Sequence, residues 1–238
     1  MSENGSSPAP TSRRTLLLAA GSAGVAALAA ACAGPAATRG AAAPTATPSP
    51  PRSPGAATPT PACVLATEAG AGPYYLDLDR VRSDITEGRR GVPFRLDLTV
   101  VRVPVGCRPL ANAAVDVWHA DPSGTYSTGG ATFLRGTQVT DAAGRCSFLT
   151  IVPGWYAGLA PHIHFKVRPD SRAESVSQFF FPEDLLVKVY ARPPYDDRRA
   201  PEHPNARDSR YRASGATMTL APVPDGTGYR AAYTVGIA

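Results

Sequence analysis

The chain of 238 residues lacks any amphipathic pattern long enough for a major helix, and it lacks internal repeats. Helical bundles and solenoids are thereby set aside. It has no sustained apolar run except Thr15–Ala31, whose 17 residues include glycine and are marginal for a membrane span. Most of the chain also lacks a charge bias. The formal charge is +5, yet residues 1–61 carry four arginines against one glutamate, so the remainder holds 20 basic and 18 acidic groups. With no basic stripe, nucleic acid is not an expected partner. Histidine and cysteine are scarce, at four residues each.

What is present falls into three compositional regions. Arg13-Arg14, the apolar run and Ala29-Ala30-Ala31-Cys32 have the charged start, apolar centre and small-residue exit of a signal peptide, assigned to residues 1–32. The Ser12-Arg13-Arg14-Thr15-Leu16-Leu17 context is that of a twin-arginine export signal, so the expected location is outside the cytoplasm, secreted or at the cell surface. Cys32 directly follows the small residues, as in a lipoprotein box. It is the one expected route to a membrane, although Leu28 stands a position earlier than such a box prefers. Residues 33–61 contain eight prolines among Ala, Thr, Ser and Gly, and cannot bury a core. A tether and a plain spacer share this composition.

Residues 62–238 form one domain. Phe94–Val103 alternates apolar with polar residues, and Ala113–His119 ends at the turn signal Ala120-Asp121-Pro122-Ser123-Gly124. Gly136–Thr140 and Arg145–Ile151 flank Asp141-Ala142-Ala143-Gly144, which predicts a hairpin. Gln178–Phe181, Thr217–Leu220 and Tyr229–Val235 read as further strands, Asp184–Tyr190 as a short helix and Pro193–Asp208 as a long surface loop. Many short strands punctuated by turns predict an all-β sandwich or barrel.

The chemistry concentrates in Pro153–Val167. His162 and His164 alternate with Ile163, Phe165 and Val167, so a strand puts both imidazoles on one face with Cα atoms about 6–7 Å apart. That spacing lets two histidines lean onto one metal ion without defining which metal. Tyr126, just past the second strand, and Tyr156, in the Pro-Gly-Trp-Tyr turn, add two phenols. A phenol with its ordinary pKa near 10 ionises only beside a strong Lewis acid. Two phenolates and two imidazoles suit ferric iron, since the anions offset its charge; zinc prefers Cys, His and carboxylate.

DVWHADPSGTYS, FLRGTQVTDAAGRCSFLTIVPGWY and PHIHFKV, with CVLATEAGAGPYY, RSDITEG and QFFFPEDL, resemble the intradiol ring-cleavage dioxygenases, specifically an exported single-domain branch. The resemblance spans nearly all of residues 63–238. It implies an Ig-like β-sandwich holding a mononuclear non-haem Fe(III), with Tyr126, Tyr156, His162 and His164 as ligands. It further implies catechol and O2 as small-molecule partners, Tyr156 as a proton acceptor, and Gln178 beside the iron-bound hydroxide. Two departures stand out. Leu159 occupies a position where the family commonly has arginine, and Gly70-Ala71 replaces Thr-Glu before GPYY.

Leu159 is therefore expected to give a slower enzyme with a more apolar pocket, unless Arg168 or a cation of Asp170–Ser177 substitutes. Tyr74 and Tyr75 read equally as residues of the substrate mouth and as core packing. Lys166 and Arg168 share the histidine face, with solvent exposure the safer expectation. His119 reads as a hydrogen-bonded structural residue, His203 as solvated, and Arg135 and Asp141 as fixing turns and ion pairs. A Cys63–Cys107 disulfide is expected to tie the lead-in loop to the sandwich. Cys146 is then a free, buried thiol sharing the inward face with Phe148.

Overall fold

A computed structural model describes residues 63–156, 158–170, 174–198, 201 and 204–238. The expected signal peptide, Cys32, the proline-rich stretch and His203 lie outside the described residues. Among the described residues, nine strands pair into two sheets: β1 (Pro93–Arg102), β2 (Arg108–Pro109), β3 (Ala114–Trp118), β4 (Arg135–Val139), β5 (Arg145–Ile151), β6 (His162–Arg168), β7 (Ser175–Phe180), β8 (Val223–Asp225) and β9 (Gly228–Ile237). The first sheet runs β2-β1-β9-β8, with β5 also on β1, and the second runs β4-β3-β6-β7. This is an all-β sandwich.

Alternation fixes the packing. Phe94, Leu96, Leu98 and Val100 of β1 and Phe148 of β5 face Val115, Val117, Ile163, Phe165, Val167 and Phe179 across one continuous core. Burying each such side chain contributes about 1.5–3 kcal/mol. The second sheet is unusual in being buried on both faces. In β6 every residue from His162 to Val167 is buried, because the lead-in, the loops after β3 and β5 and a helix cover its outer side. That outer face carries Asp116, Trp118, His162, His164 and Gln178.

Several expectations needed correction. The segments flanking Asp141–Gly144 are not a hairpin. The turn forms, with Asp141 Oδ1 accepting from the Ala143 and Arg145 amides, but β4 pairs with β3 and β5 with β1. The chain therefore crosses between sheets, because Leu96 and Leu98 pair with Phe148 and Cys146 on β5. Thr217–Leu220 is not a strand. Ser209–Met218 is helix α2, and Thr219 makes only an isolated bridge to Phe180. Asp208 caps this helix by accepting from the Arg210 amide. Helix α1 covers Glu183–Tyr190. The Pro193–Asp208 loop is not wholly superficial, since Tyr195, Asn205 and Asp208 are buried. Cys63 and Cys107 form a disulfide. Cys146 is free but only half-buried, and desolvation pushes its thiol up to about 12.

His119 links the sheets just beyond β3. It is fully buried, with Nδ1 2.8 Å from the Ala120 carbonyl and Nε2 2.7 Å from Thr150 Oγ1 of β5. Burial pushes its pKa down to about 4. Between that value and about 6.5 the unfolded chain binds a proton that the folded chain refuses, so acid favours unfolding. We expect the stability supported by neutral His119 to be intact above pH ~6.5 and to fall by on the order of 3 kcal/mol toward pH 4. Chemical denaturation of the metal-free domain checks this. His119→Gln should flatten the acid limb relative to wild type, and a wild-type stability unchanged across that range would contradict it.

Candidate metal centre

Four donors meet on the outer face of β6. His162 and His164 are 3% and 1% exposed, and their Nε2 atoms lie 3.0 Å apart. The Ala160 carbonyl accepts from His162 Nδ1 at 2.7 Å, which fixes the proton there and leaves the Nε2 lone pair pointing at its neighbour. Tyr126 Oη is 3.4 Å from His162 Nε2, and the Tyr126 and Tyr156 rings meet edge to face at 5.6 Å. Two imidazole lone pairs and two phenol oxygens thus share one space.

The loops that deliver the phenols are locked together. Tyr126 lies in the turn after β3, where Asp121 Oδ1 accepts from the Ser123 and Thr125 amides. A Cβ on Gly124 would collide with the Trp155 carbonyl, and one on Gly154 with the Asp121 carbonyl. Only glycine permits that approach of the two loops. Arg135, buried on β4, donates from Nε to Ser127 Oγ at 2.6 Å and from Nη2 to the Ser127 carbonyl at 2.8 Å. This anchors the chain just past Tyr126. Arg198 donates to the Trp155 carbonyl at 2.5 Å and covers its ring.

Aromatic packing supports the donors. Trp118, opposite His164 in the sheet register, stacks on its imidazole at 4.9 Å. Tyr74 of the lead-in stacks on Tyr126 at 4.4 Å and meets Tyr156 edge-on at 6.2 Å. A Cβ at Gly72 would lie 3.6 Å from His164 Cε1, so the lead-in passes directly over the site. Backbone pairing of Ala69 with the Val176 carbonyl and a Glu68 bond to the Val176 amide hold it there.

The electrostatics are those of a site awaiting a cation. Burial holds His162 down at about 4 and His164 well below the usual range, so both imidazoles are neutral. Burial, reinforced by Tyr156, pushes Tyr126 well above 10. Tyr156 is also raised by burial, against an opposing pull from Arg210. Buried phenols resist ionisation until a strong positive charge is beside them, and a trivalent ion supplies that charge. The polar groups around the donors point the same way. Gln178, opposite His164 on β7, has both amide atoms buried without a partner, as has Nδ1 of His164. Among the described residues there is no cluster of three or more His, Cys, Asp or Glu placed for a metal. The donor set is two imidazoles and two phenols, which fits a ferric ion and does not fit a closed zinc site.

Other expected residues fall elsewhere. Tyr75 turns its hydroxyl onto Asp116 at 2.9 Å and packs behind Trp118, so it supports the wall and does not line the mouth. Lys166 is buried, over the Tyr75 ring and paired with Glu174 at 2.8 Å. Arg168 pairs with Asp79 and Asp116. Neither cation reaches the donors, and Arg172 of the Asp170–Ser177 segment lies outside the described residues. Leu159 is half-buried in the turn before β6, its amide 3.2 Å from the Tyr156 carbonyl. Trp118, which reads from its motif as a packing residue, packs on His164; Asp208 and Arg210 were missed. The signal for Asp208 was present, an aspartate opening Ser-Arg-Tyr-Arg-Ala as an N-cap.

The two-sheet sandwich thus carries a cluster of two imidazoles and two phenols on the outer face of β6. The family model described as Dioxygenase matches residues 71–192, and the chain belongs to the intradiol ring-cleavage dioxygenase family. Among curated relatives, the protocatechuate 3,4-dioxygenase beta chain of Burkholderia cepacia is 33% identical over 132 residues, covering 47% of this chain and 56% of its own. A chlorocatechol 1,2-dioxygenase of Pseudomonas sp. strain P51 is 32% identical over 95 residues, covering 31% and 38%. The chain thus spans about half or less of these relatives' length. An intradiol ring-cleavage dioxygenase from Tetranychus urticae superposes with a TM-score of 0.70 at 29% identity, over 74% of this chain and 94% of that one. The dioxygenase domain of a carbohydrate-binding fusion from Streptomyces sp. SirexAA-E gives 0.59 at 26%, over 74% and 100%.

Gln178 has both polar atoms of its amide buried without a protein partner. Its two unpartnered amide atoms carry a desolvation cost that a near-isosteric thioether avoids. We expect Gln178→Met to stabilise the metal-free domain by about 1 kcal/mol. Equilibrium urea unfolding measures it, and a loss of that size would show that the amide is already satisfied.

Proposed function

We propose that this protein is an extracytoplasmic non-haem Fe(III) dioxygenase that opens catechol-type rings between the two hydroxylated carbons. The observation that carries the reading is the convergence of Tyr126, Tyr156, His162 and His164 on one buried point. One ferric ion held there would withdraw charge from both catechol oxygens and make the ring reactive toward O2. The stoichiometry is one catechol and one O2 to one cis,cis-muconate-type diacid, both oxygen atoms ending in product.

The chain's own residues set up that chemistry. His162 and His164 are locked as neutral donors by the Ala160 carbonyl and the Trp118 stack. Tyr126 is clamped by the Tyr74 ring and the Arg135 anchor, which suits a permanent ligand. Tyr156 is half-buried and is therefore the phenol with room to move and accept a catechol proton at its Oη. Gln178 offers its amide to an oxygen in the space beside His164. The lead-in over Gly72–Tyr74 keeps bulk water from the reacting atoms.

We also propose that residues 1–32 direct export through a twin-arginine route, with Cys32 a candidate acylation site and residues 33–61 a tether or spacer. No helix among the described residues is long and apolar enough to cross a membrane.

The purified domain should be reddish from phenolate-to-iron charge transfer and should consume O2 with catechol in equal amounts. Tyr126→Phe should lose the visible band or the metal. Tyr156→Phe should retain iron but turn over at least about tenfold slower, as expected on loss of a positioned proton acceptor. Wild-type rates in both variants would contradict the assignment. A colourless domain that binds catechol without O2 uptake would instead mark a binding module.

A further inference from the structure

Arg210 is the second helical residue of α2, a position where a cation opposes the helix dipole and is locally unfavourable. Asp208 does not neutralise it by an ion pair. Its two carboxylate oxygens accept from the Arg210 amide at 2.7 Å and the Ala160 amide at 2.9 Å. Among the described residues, no carboxylate lies within ion-pair distance of the guanidinium. Its Nη1 is buried without a hydrogen-bond partner. The guanidinium charge nevertheless acts on the Tyr156 hydroxyl, opposing the upward push of burial on its pKa. Asp208 fixes this placement, since Ala160 takes the Asp208 carboxylate on its amide and holds His162 Nδ1 on its carbonyl. The first turn of α2 is thereby pinned to the loop that ends at His162.

On its other side Arg210 lines a cavity of about 230 Å³ with Glu68, Ala69, Gly70, Ser209, Ala213 and Ser214. The cavity lies beside Gly70, where the lead-in has no side chain. Helix α2 falls outside the span of residues 71–192 that the family model matches.

We propose that Arg210 is the substrate-facing cation of this site: it holds the Tyr156 oxygen and presents a buried amino group to an anionic oxygen of a bound catechol. This rests on the iron-dioxygenase reading and refines its pocket. On this reading the pocket keeps a cation despite Leu159, with the charge entering from α2 and not from the strand of the histidines. The unpartnered amino group, the unpaired charge and the unfavourable helix position are together explained by an anion that arrives with the substrate.

The test compares wild type, Arg210→Met and Arg210→Lys, each loaded with Fe(III) without oxygen and titrated with 4-nitrocatechol, a coloured catechol. Removing a positive charge beside a coordinated phenolate makes it a better electron donor. Arg210→Met should therefore keep stoichiometric iron while its visible band moves to longer wavelength. Its affinity for 4-nitrocatechol should weaken by about 10²-fold, the order expected for loss of a charged donor aimed at developing charge. Arg210→Lys should lie between the two. Thermal unfolding of the metal-free proteins separates a structural role, since removing a cation from the first turn of α2 should leave stability unchanged or raised. A wild-type protein with no visible band overturns the iron reading itself. A wild-type band that both variants reproduce, with unchanged 4-nitrocatechol affinity, overturns the role of Arg210 alone. So does a Met variant that loses both iron and stability, which would make Arg210 a structural residue.

Discussion

The period of two on β6 is the constraint on which the rest depends. Ile163, Phe165 and Val167 are committed to the core between the sheets, and this commitment turns His162 and His164 outward on the same strand. Slipping the register by one residue would bury the imidazoles in the core and expose three apolar side chains, a change the core cannot accept. The same alternation on β3 and β7 places Trp118 and Gln178 on either side of His164. The geometry of the donors is thus enforced by hydrophobic packing on the reverse side of the sheet.

That outer face is then closed by segments with little regular structure. The two phenol-bearing loops interlock through Gly124 and Gly154, the lead-in crosses over His164 at Gly72, and α2 enters through Asp208. The disulfide at Cys63 ties the start of the lead-in to the end of β1's connection at Cys107. Each covering segment excludes water, and each leaves polar atoms unpaired: Gln178, His164 Nδ1 and Arg210 Nη1. Such concentrations of unsatisfied polar groups and depressed histidine pKa values mark sites where stability is surrendered for chemistry.

Much of this was legible in the residues. β6 carries its bounds in its own alternation, and the turn at Asp121–Gly124 and the disulfide partners could be read locally. The crossing from β4 to β5 could not be. Asp141–Gly144 has sound turn chemistry, but which sheet each flank joins is decided by Leu96 and Leu98 meeting β5 some fifty residues away in sequence. Helix α2 was hidden for another reason. Ser-Arg-Tyr-Arg-Ala-Ser-Gly-Ala-Thr-Met has no apolar stripe, so its helicity comes from the Asp208 cap and from docking of Met218 and Ser214, not from pattern. Arg210 was missed with it, since a side chain from an unseen helix cannot be assigned to a site. Tyr75 shows the converse, a residue in a matched motif whose hydroxyl is claimed by Asp116.

The central claim is that these four side chains hold one iron. Anomalous diffraction from crystals of the iron-loaded domain, collected on both sides of the iron absorption edge, addresses it directly. The account predicts a single peak, lost below the iron edge, at bonding distance from Tyr126 Oη, Tyr156 Oη, His162 Nε2 and His164 Nε2. A peak that survives below that edge, one lying off the outer face of β6, or one reached by the histidines but by neither tyrosine would contradict it.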